Sequence, residues 1–352
     1  MEIVGPLQTP HQRLVITAIR EEAPQVKTFF LEAEDRQDIP YQSGQFLTFL
    51  FHRLGKEERR SYSMSSSSLP GDPLAITVKR VANGAHSRWL IDAARVGDVL
   101  RTTGASGLFT LPADIQRYKQ IFLFGAGIGI TPLYALLKTI LKEHEGIQVV
   151  LVYSNRSTAD TVFYNELNNL QETYGLRLQI EWLFSQSKHL LRARLGKWLF
   201  PVLFRQYLQA APGEVLCYIC GPTAYRWMTA LSLEEAGIPS ENIRKEAFIN
   251  DRPAMVVLPP DRQQHTVTIR FKEHTYTLPV QYPDTILSAA KKAQIPLPYS
   301  CEAGRCATCI AHCTNGNVWM SYNEVLTEAD LAKGLVLTCT GYPIGGNVTL
   351  HF

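Results

Sequence analysis

Three patterns of apolar and polar positions follow one another along the chain. From about residue 10 to 111, short apolar runs are separated by turn residues: Leu14–Ile19, Val26–Leu31, Gln45–Phe51, Leu74–Arg80 and Asp98–Thr103. Close spacing of this kind predicts a small antiparallel barrel, with a charged turn at Gly55–Arg59. From 112 to 249, apolar runs at Ile121–Phe124, Val149–Tyr153, Leu178–Phe184 and Val215–Cys220 alternate with helical patterns at Pro132–Glu143, Asp160–Thr173 and Thr223–Ala236. That alternation predicts a parallel sheet with helices on both faces and ligands beyond the carboxyl ends of its strands. Residues 250–264, with Pro253, Pro259 and Pro260, read as a semi-rigid linker. From 265 to 352 the order is strand (Thr266–Phe271), strand (Thr275–Val280), helix (Asp284–Ala293), a cysteine-rich loop, and strands near Ile310–Cys313 and Val348–His351.

Composition narrows the class. A chain of 352 residues has room for two or three domains, each with its own core. A net charge of +3 is too small to argue for nucleic acid or a membrane surface. The first residues show neither a basic segment nor an apolar one, so no signal peptide is expected. Ile121–Leu137 carries no charge, but its three glycines and Thr-Pro suit a strand, a turn and a helix start, so no membrane span is expected. One stretch, Lys188–Leu208, is both basic and aromatic. It offers a membrane-surface or partner helix, or a helix packed on its own domain and interrupted at Pro201; the packed helix is the expectation.

Seven cysteines are clustered rather than spread as a disulfide framework, which points to a reducing compartment and hence the cytoplasm. Cys301, Cys306 and Cys309, spaced C-x4-C-x2-C, are answered by the distant Cys339. Zinc sites bring cysteines in two close pairs; a close triple with a distant single is the plant-type [2Fe-2S] spacing. Ala303, Gly304, Ala307 and Thr308 between the ligands are small, leaving room for backbone N–H groups to approach the sulfurs. Cys313 is expected to be buried and non-ligating. Cys217 and Cys220 lie three apart on one strand and should point to opposite faces, which excludes a dithiol pair.

Two further segments suit nucleotides. Arg60 can neutralise a pyrophosphate, Tyr62 can lie on a flavin ring, and Ser61 and Ser63 stand beside them with a hydroxyl for ring nitrogens. Val78-Lys79-Arg80 leads to Gly84-Ala85-His86-Ser87, a turn whose amides and hydroxyl can hold phosphate. Gly125, Gly127, Gly129, Thr131 and Pro132 lie between a strand and a helix, where glycines admit a pyrophosphate and the helix N-terminus favours its charge.

These segments, with Gly97-Asp98-Val99-Leu100 and Gly107-Leu108-Phe109, resemble the ferredoxin–NADP(H) reductase family. The resemblance implies a flavin-binding barrel (10–111), holding FAD or alternatively FMN, and an NAD(P)-binding α/β domain (112–249). It places Ser154-Asn155-Arg156 near the adenosine ribose, where the absence of an acid in that loop favours NADPH, with Asp160 close enough to keep NADH as the alternative. It sets Cys220-Gly221-Pro222 at the nicotinamide and Glu246 and Phe248 at the flavin, so that Ser63, Cys220 and Glu246 form the hydride-transfer site. Residues 265–352, including Pro298-Tyr299-Ser300-Cys301 and Leu337-Thr338-Cys339, resemble β-grasp plant-type ferredoxins. The whole arrangement resembles the reductase components of bacterial oxygenase systems, including the phenylacetyl-CoA epoxidase reductase type.

The expected activity is that of an NAD(P)H-dependent flavin and iron–sulfur oxidoreductase. Two electrons enter together at the flavin and leave singly through the cluster to a partner oxygenase, hydroxylase or desaturase. A redox-sensing iron–sulfur flavoprotein and a reductase acting directly on a small acceptor are the alternatives. The ferredoxin segment carries six cations and six acids. That neutrality fits a segment whose reductase is tethered to it rather than steered to it by charge.

Overall fold

The computed structural model describes residues 11–53, 55–188, 190–248 and 257–352. It forms two compact units, Gln12–Phe248 and a second containing 257–352. The segment 250–256 of the expected linker lies outside the described residues.

The first unit opens with β1 (Gln12–Ala23), β2 (Val26–Ala33), β3 (Phe46–Arg53), β4 (Lys56–Ser63), β5 (Ala75–Lys79), α1 (Ala85–Asp92) and β6 (Val99–Ser106). They form an antiparallel sheet ordered β4-β3-β6-β1-β2-β5, and a bridge between Met64 and Ile76 joins its two edges into a barrel. Alternation along each strand sends Leu14, Ile16, Phe29, Leu31, Leu47 and Phe49 inward to one core. Of the expected charged turn Gly55–Arg59, Lys56–Arg59 instead form the first half of β4. Its charges are tolerated because β4 is an edge strand, and Glu57 and Glu58 pair with Arg59 and Arg60.

The α/β part follows with β7 (Gln120–Ala126), α2 (Ile130–Glu143), β8 (Gln148–Asn155), α3 (Tyr164–Tyr174), β9 (Leu178–Phe184), α4 (Leu199–Tyr207), β10 (Val215–Cys220), α5 (Thr223–Glu235) and β11 (Ile243–Glu246). All pairings in the sheet β11-β10-β7-β8-β9 are parallel. Its two faces carry separate cores, with α2 residues such as Leu133 and Leu137 on one and Leu203 of α4 and Leu233 of α5 on the other. Cys220 lies in the first core and Cys217 in the second, so the two thiols do point to opposite faces. Pro201 does not interrupt α4. It falls in the first helical turn, where a missing N–H costs nothing, and Leu199, Phe200, Leu203 and Phe204 pack the helix onto the sheet.

Barrel and α/β part share a seam. Ala23, Val26 and Phe109 of the barrel side join the core beneath α2, the Ser43 and Thr139 hydroxyls meet at 2.6 Å, and Lys138 pairs with Asp72.

The second unit contains β12 (His265–Phe271), β13 (His274–Val280), α6 (Ile286–Lys292), β14 (Ile310–Met320), α7 (Glu328–Ala332), β15 (Leu335–Leu337) and β16 (Gly341–His351). The sheet order is β13-β12-β16-β14-β15, with α6 buried on one side through Ile286, Leu287, Ala289 and Ala290. Asp261 ties the preceding segment to this unit, accepting from the Gly345 N–H at 2.8 Å.

The seam generates a stability prediction. Gly44 sits at φ +92°, and a β-carbon there would lie 2.0 Å from the Phe109 carbonyl oxygen. Gly71 has a similar φ of +82° but nothing within 4 Å. Gly71→Ala should cost only the left-handed strain, about 1 kcal/mol, whereas Gly44→Ala must also part the seam and should lower Tm by at least twice as much. Equal shifts in paired thermal melts would show that the seam yields freely.

Candidate functional site

The carboxyl edge of the parallel sheet brings three predicted residues into a row. Cys220 is aligned with Gly125 on one neighbouring strand and with Glu246 on the other. The backbone closes tightly here: a β-carbon on Gly129 would lie 2.3 Å from the Cys220 carbonyl oxygen, and one on Gly221 would lie 2.9 Å from the Ala126 β-carbon. Gly127 takes φ +54°. These glycines are therefore required by the chain's own packing as well as by any phosphate. Thr131 donates to the Ile128 carbonyl at 2.7 Å, tying down the turn that opens α2. The helix begins at Ile130, so Pro132 stands within its first turn.

Ser63, at the end of β4, reaches across the seam and donates to Glu246 Oε2 at 3.1 Å. Both residues are buried. Burial pushes the Glu246 carboxyl up to about 8, against the opposing pull of the Ser63 hydroxyl and the Arg226 charge. Burial likewise pushes the Cys220 thiol well above its usual range, so it is a neutral thiol and no nucleophile. Phe248 is partly exposed beyond Glu246.

Arg226 belongs to none of the motifs that point to this site. It is almost fully buried in the first turn of α5 and donates to the Gly221 carbonyl at 2.9 Å. A signal for it does exist along the chain: Arg226, Thr229, Ala230 and Leu233 form one buried helical stripe, and an arginine on such a stripe is rare without a local charge partner.

The end of β8 holds the predicted ribose loop. Ser154 Oγ and Asn155 Nδ2 are buried atoms with no hydrogen-bond partner, and the Tyr225 hydroxyl near Ser154 also lacks a well-directed one. Buried polar atoms are ordinarily paired, so these three fit an external nucleotide. Arg156 is exposed beside them. Asp160 is engaged elsewhere, accepting from Ser157 Oγ at 2.6 Å.

On the barrel, the predicted residues divide. Arg60 is about half exposed and ion-pairs with Glu58 at 3.2 Å. The Ser61 hydroxyl meets Thr48 Oγ1 at 2.9 Å, and Tyr62, pushed up to about 12 by burial, leans on Phe49. Val78 points into the barrel core, Lys79 is exposed, and Arg80 is bound to both oxygens of Asp92 at 3.0 Å. Gly84–Ser87 is not an isolated turn. Gly84 caps α1, Ala85 opens it, and Ser87 Oγ accepts from the Val81 N–H while donating to the Gly84 carbonyl. His86 is held by Glu58 at 2.6 Å and stacks on Phe51 at 4.3 Å. Beside them lies a cleft of about 410 Å³ lined in part by Phe51, His86, Trp89 and Arg101.

In the second unit, Cys301, Cys306, Cys309 and Cys339 face one another. Contacts with the Cys306 and Cys339 thiols hold the Cys301 thiol well below its usual range, helped by the Arg305 and Ala303 amides; the same crowding pushes Cys339 up. The Ala303 N–H approaches Cys301 Sγ at 3.4 Å. Glu302, Gly304 and Ala307 all take left-handed backbone, and a β-carbon on Gly304 would lie 2.6 Å from the Tyr322 carbonyl oxygen. No three ligating side chains converge on a single ion among the described residues. An all-sulfur set with amides aimed at it fits an iron–sulfur cluster. The loop is braced by Arg305–Glu324 at 2.8 Å, nearly buried, and by Lys291–Glu302 at 2.9 Å. Cys313 is only half-buried, against the expectation of burial, because β14 bulges beside it, and its thiol lies 3.5 Å from the Asn315 and Gly316 carbonyls.

Residues 13–111 match the family described as oxidoreductase FAD-binding domain, 123–230 the oxidoreductase NAD-binding domain, and 269–343 the 2Fe-2S iron-sulfur cluster binding domain. The chain is 31% identical to the 3-ketosteroid-9-alpha-monooxygenase ferredoxin reductase component of Mycobacterium tuberculosis (strain CDC 1551 / Oshkosh), covering 100% of this chain and 99% of that one. It is 31% identical to one of the subunits of the 1,2-phenylacetyl-CoA epoxidase of Escherichia coli (strain K12), over 92% of both. In fold it is similar to phthalate dioxygenase reductase, with a TM-score of 0.61, 23% identity and 99% of each chain covered.

Glu246 yields a pH prediction. Its folded pKa lies above the ordinary 4.5, so the folded protein keeps a proton that the unfolded chain has released. Stability from this group is fully present below about pH 4.5 and is lost as pH rises through about 8. Glu246→Gln has no proton to lose, and its Tm should fall less than the parent's across that window. Parallel Tm–pH curves would show that Glu246 is ionised throughout.

Proposed function

The chain belongs to the family of flavin- and iron–sulfur-containing reductase components of oxygenase systems, and from that premise we infer that it passes electrons from NADPH to an oxygenase-type protein partner in the cytoplasm. The family membership carries an FAD site, an NAD(P)H site and a [2Fe-2S] site on one chain. No helix among the described residues is long and apolar enough to cross a membrane.

The observation that carries the reading is the Ser63–Glu246 contact, because it joins the predicted flavin segment to the predicted nicotinamide edge. In this reading Arg60 and the N-terminal amides of α1 hold the FAD pyrophosphate, and the cleft by Phe51 and Trp89 receives its adenosine end. Tyr62 and the exposed Phe248 would offer apolar faces to the ring. Bound flavin accepts a hydride and releases electrons one at a time, and the cluster held by Cys301, Cys306, Cys309 and Cys339 carries single electrons. The chain's own contribution is placement. Cys220, with Gly129 packed on its carbonyl, would form the floor against which the nicotinamide is placed. Ser63 and Glu246 keep a hydrogen-bonding pair at that point with little water around it. Arg226 supplies a charge that limits how far burial can raise the carboxyl.

The tilt to NADPH rests on Arg156, exposed beside the unpaired Ser154 and Asn155 atoms, and on Asp160 being occupied by Ser157. Arg156→Ala should lower kcat/KM for NADPH roughly tenfold, the worth of one charge-assisted contact, and leave NADH little changed. Equal losses with both nucleotides would remove Arg156 from the 2′-phosphate.

The direct test of the whole path is anaerobic stopped flow with NADPH. Flavin absorbance should bleach first and cluster absorbance should follow. Cys339→Ala should keep the first phase and lose the second. A chain whose cluster absorbance never changes after the flavin is reduced would favour reduction of a small acceptor at the flavin.

A further inference from the structure

The net charge of +3 conceals a strong local concentration. Residues 182–213 contain five cations, Lys188, Arg192, Arg194, Lys197 and Arg205, and no acid. The structure turns this segment into a built surface. Leu199, Phe200, Leu203 and Phe204 bury one side of α4 against the sheet. The turn Leu190–Arg192 is held beside that helix by Arg192, which reaches Glu181 at 3.4 Å and Gln206 at 3.3 Å, while Tyr207 donates to the same Glu181 at 2.9 Å. What remains outward is apolar and almost wholly in water: Trp198 is 93% exposed, Leu191 91%, Leu190 83% and Val202 59%. Lys188, Arg194, Lys197 and Arg205 are exposed among them.

We infer that this face of the α/β part binds reversibly to an anionic lipid surface. The cations supply long-range attraction to acidic headgroups, with no carboxylate in the segment to oppose it. Tryptophan settles at headgroup level, and a leucine pair enters the boundary of the acyl region. The near-complete exposure favours lipid over a protein partner. Side chains that project without lining a groove need a matching pocket in a protein, whereas a fluid interface accepts them as they stand. Arg192 is spent on holding the leucines in place, and Lys197, 4.0 Å from the exposed Glu235, is barely engaged. The lipid contact stands on this surface alone; that the bound chain would deliver electrons to an acceptor at the membrane face rests on the reductase reading.

The test is flotation of the full holoprotein with phosphatidylcholine vesicles, with and without phosphatidylglycerol. The chain should float with the anionic vesicles at low salt, detach as salt rises, and ignore phosphatidylcholine alone. Arg194→Ser and Lys197→Ser should each weaken partition about fivefold. Leu191→Glu with Trp198→Glu should abolish it, with dye reduction by NADPH unchanged in solution to show that the variant is folded. Failure to float with anionic vesicles at low salt overturns the proposal, as does binding that survives the Leu191 and Trp198 substitutions. Variants that slow transfer to an acidic protein acceptor while vesicles are ignored would also overturn it, and would give the patch to a protein.

Discussion

Glu246 is a carboxyl group almost without water, and everything near it is arranged around that fact. An isolated buried carboxylate is costly, so the group must either keep its proton or find partners. Here a hydroxyl from the barrel and a guanidinium from α5 share the task. The contact exists only because the seam between barrel and sheet is tight, with Gly44 leaving room for the Phe109 carbonyl and Ala23 and Val26 continuing the core beneath α2. Loosening the seam would hydrate Glu246, and its pKa and the placement of Ser63 would change together.

The cluster loop shows the same logic by different means. Three left-handed residues within nine cannot be held by local preference, since only one of them is glycine. They are held by Arg305 on Glu324, by Lys291 on Glu302, and by Thr338, whose backbone N–H and hydroxyl both donate to the Cys309 carbonyl and so bring Cys339 to the other three sulfurs. In both units, strain at the site is met by pairs of charged or polar groups from distant parts of the chain.

Charge distribution separates two roles. The ferredoxin segment is balanced, as suits a domain whose electron donor is tethered. The α/β part concentrates its cations in a single acid-free stretch, and it is there that apolar side chains are left in water. The sum over the chain hides both facts, which is why net charge alone pointed away from any surface.

The sequence by itself determined the architecture and singled out four cysteines that the fold brings together. Short apolar runs set between helical patterns gave β9 and β10 to the residue, and the C-x4-C-x2-C spacing with Cys339 pointed to the cluster, because apolar runs and cysteine spacing are local properties. Local rules went astray where a residue answers to something distant. Lys56–Arg59 became strand because β3 offered an edge to pair with, Gly84–Ser87 became a helix start, and Pro201 fell where a helix tolerates it. Only the tertiary structure decided that Ser63 touches Glu246, that the Arg226 charge acts on that carboxyl, and that Trp198 and Leu191 face outward while Phe200 and Phe204 face in. Those are relations between surfaces brought together by packing, and no window of sequence contains both partners.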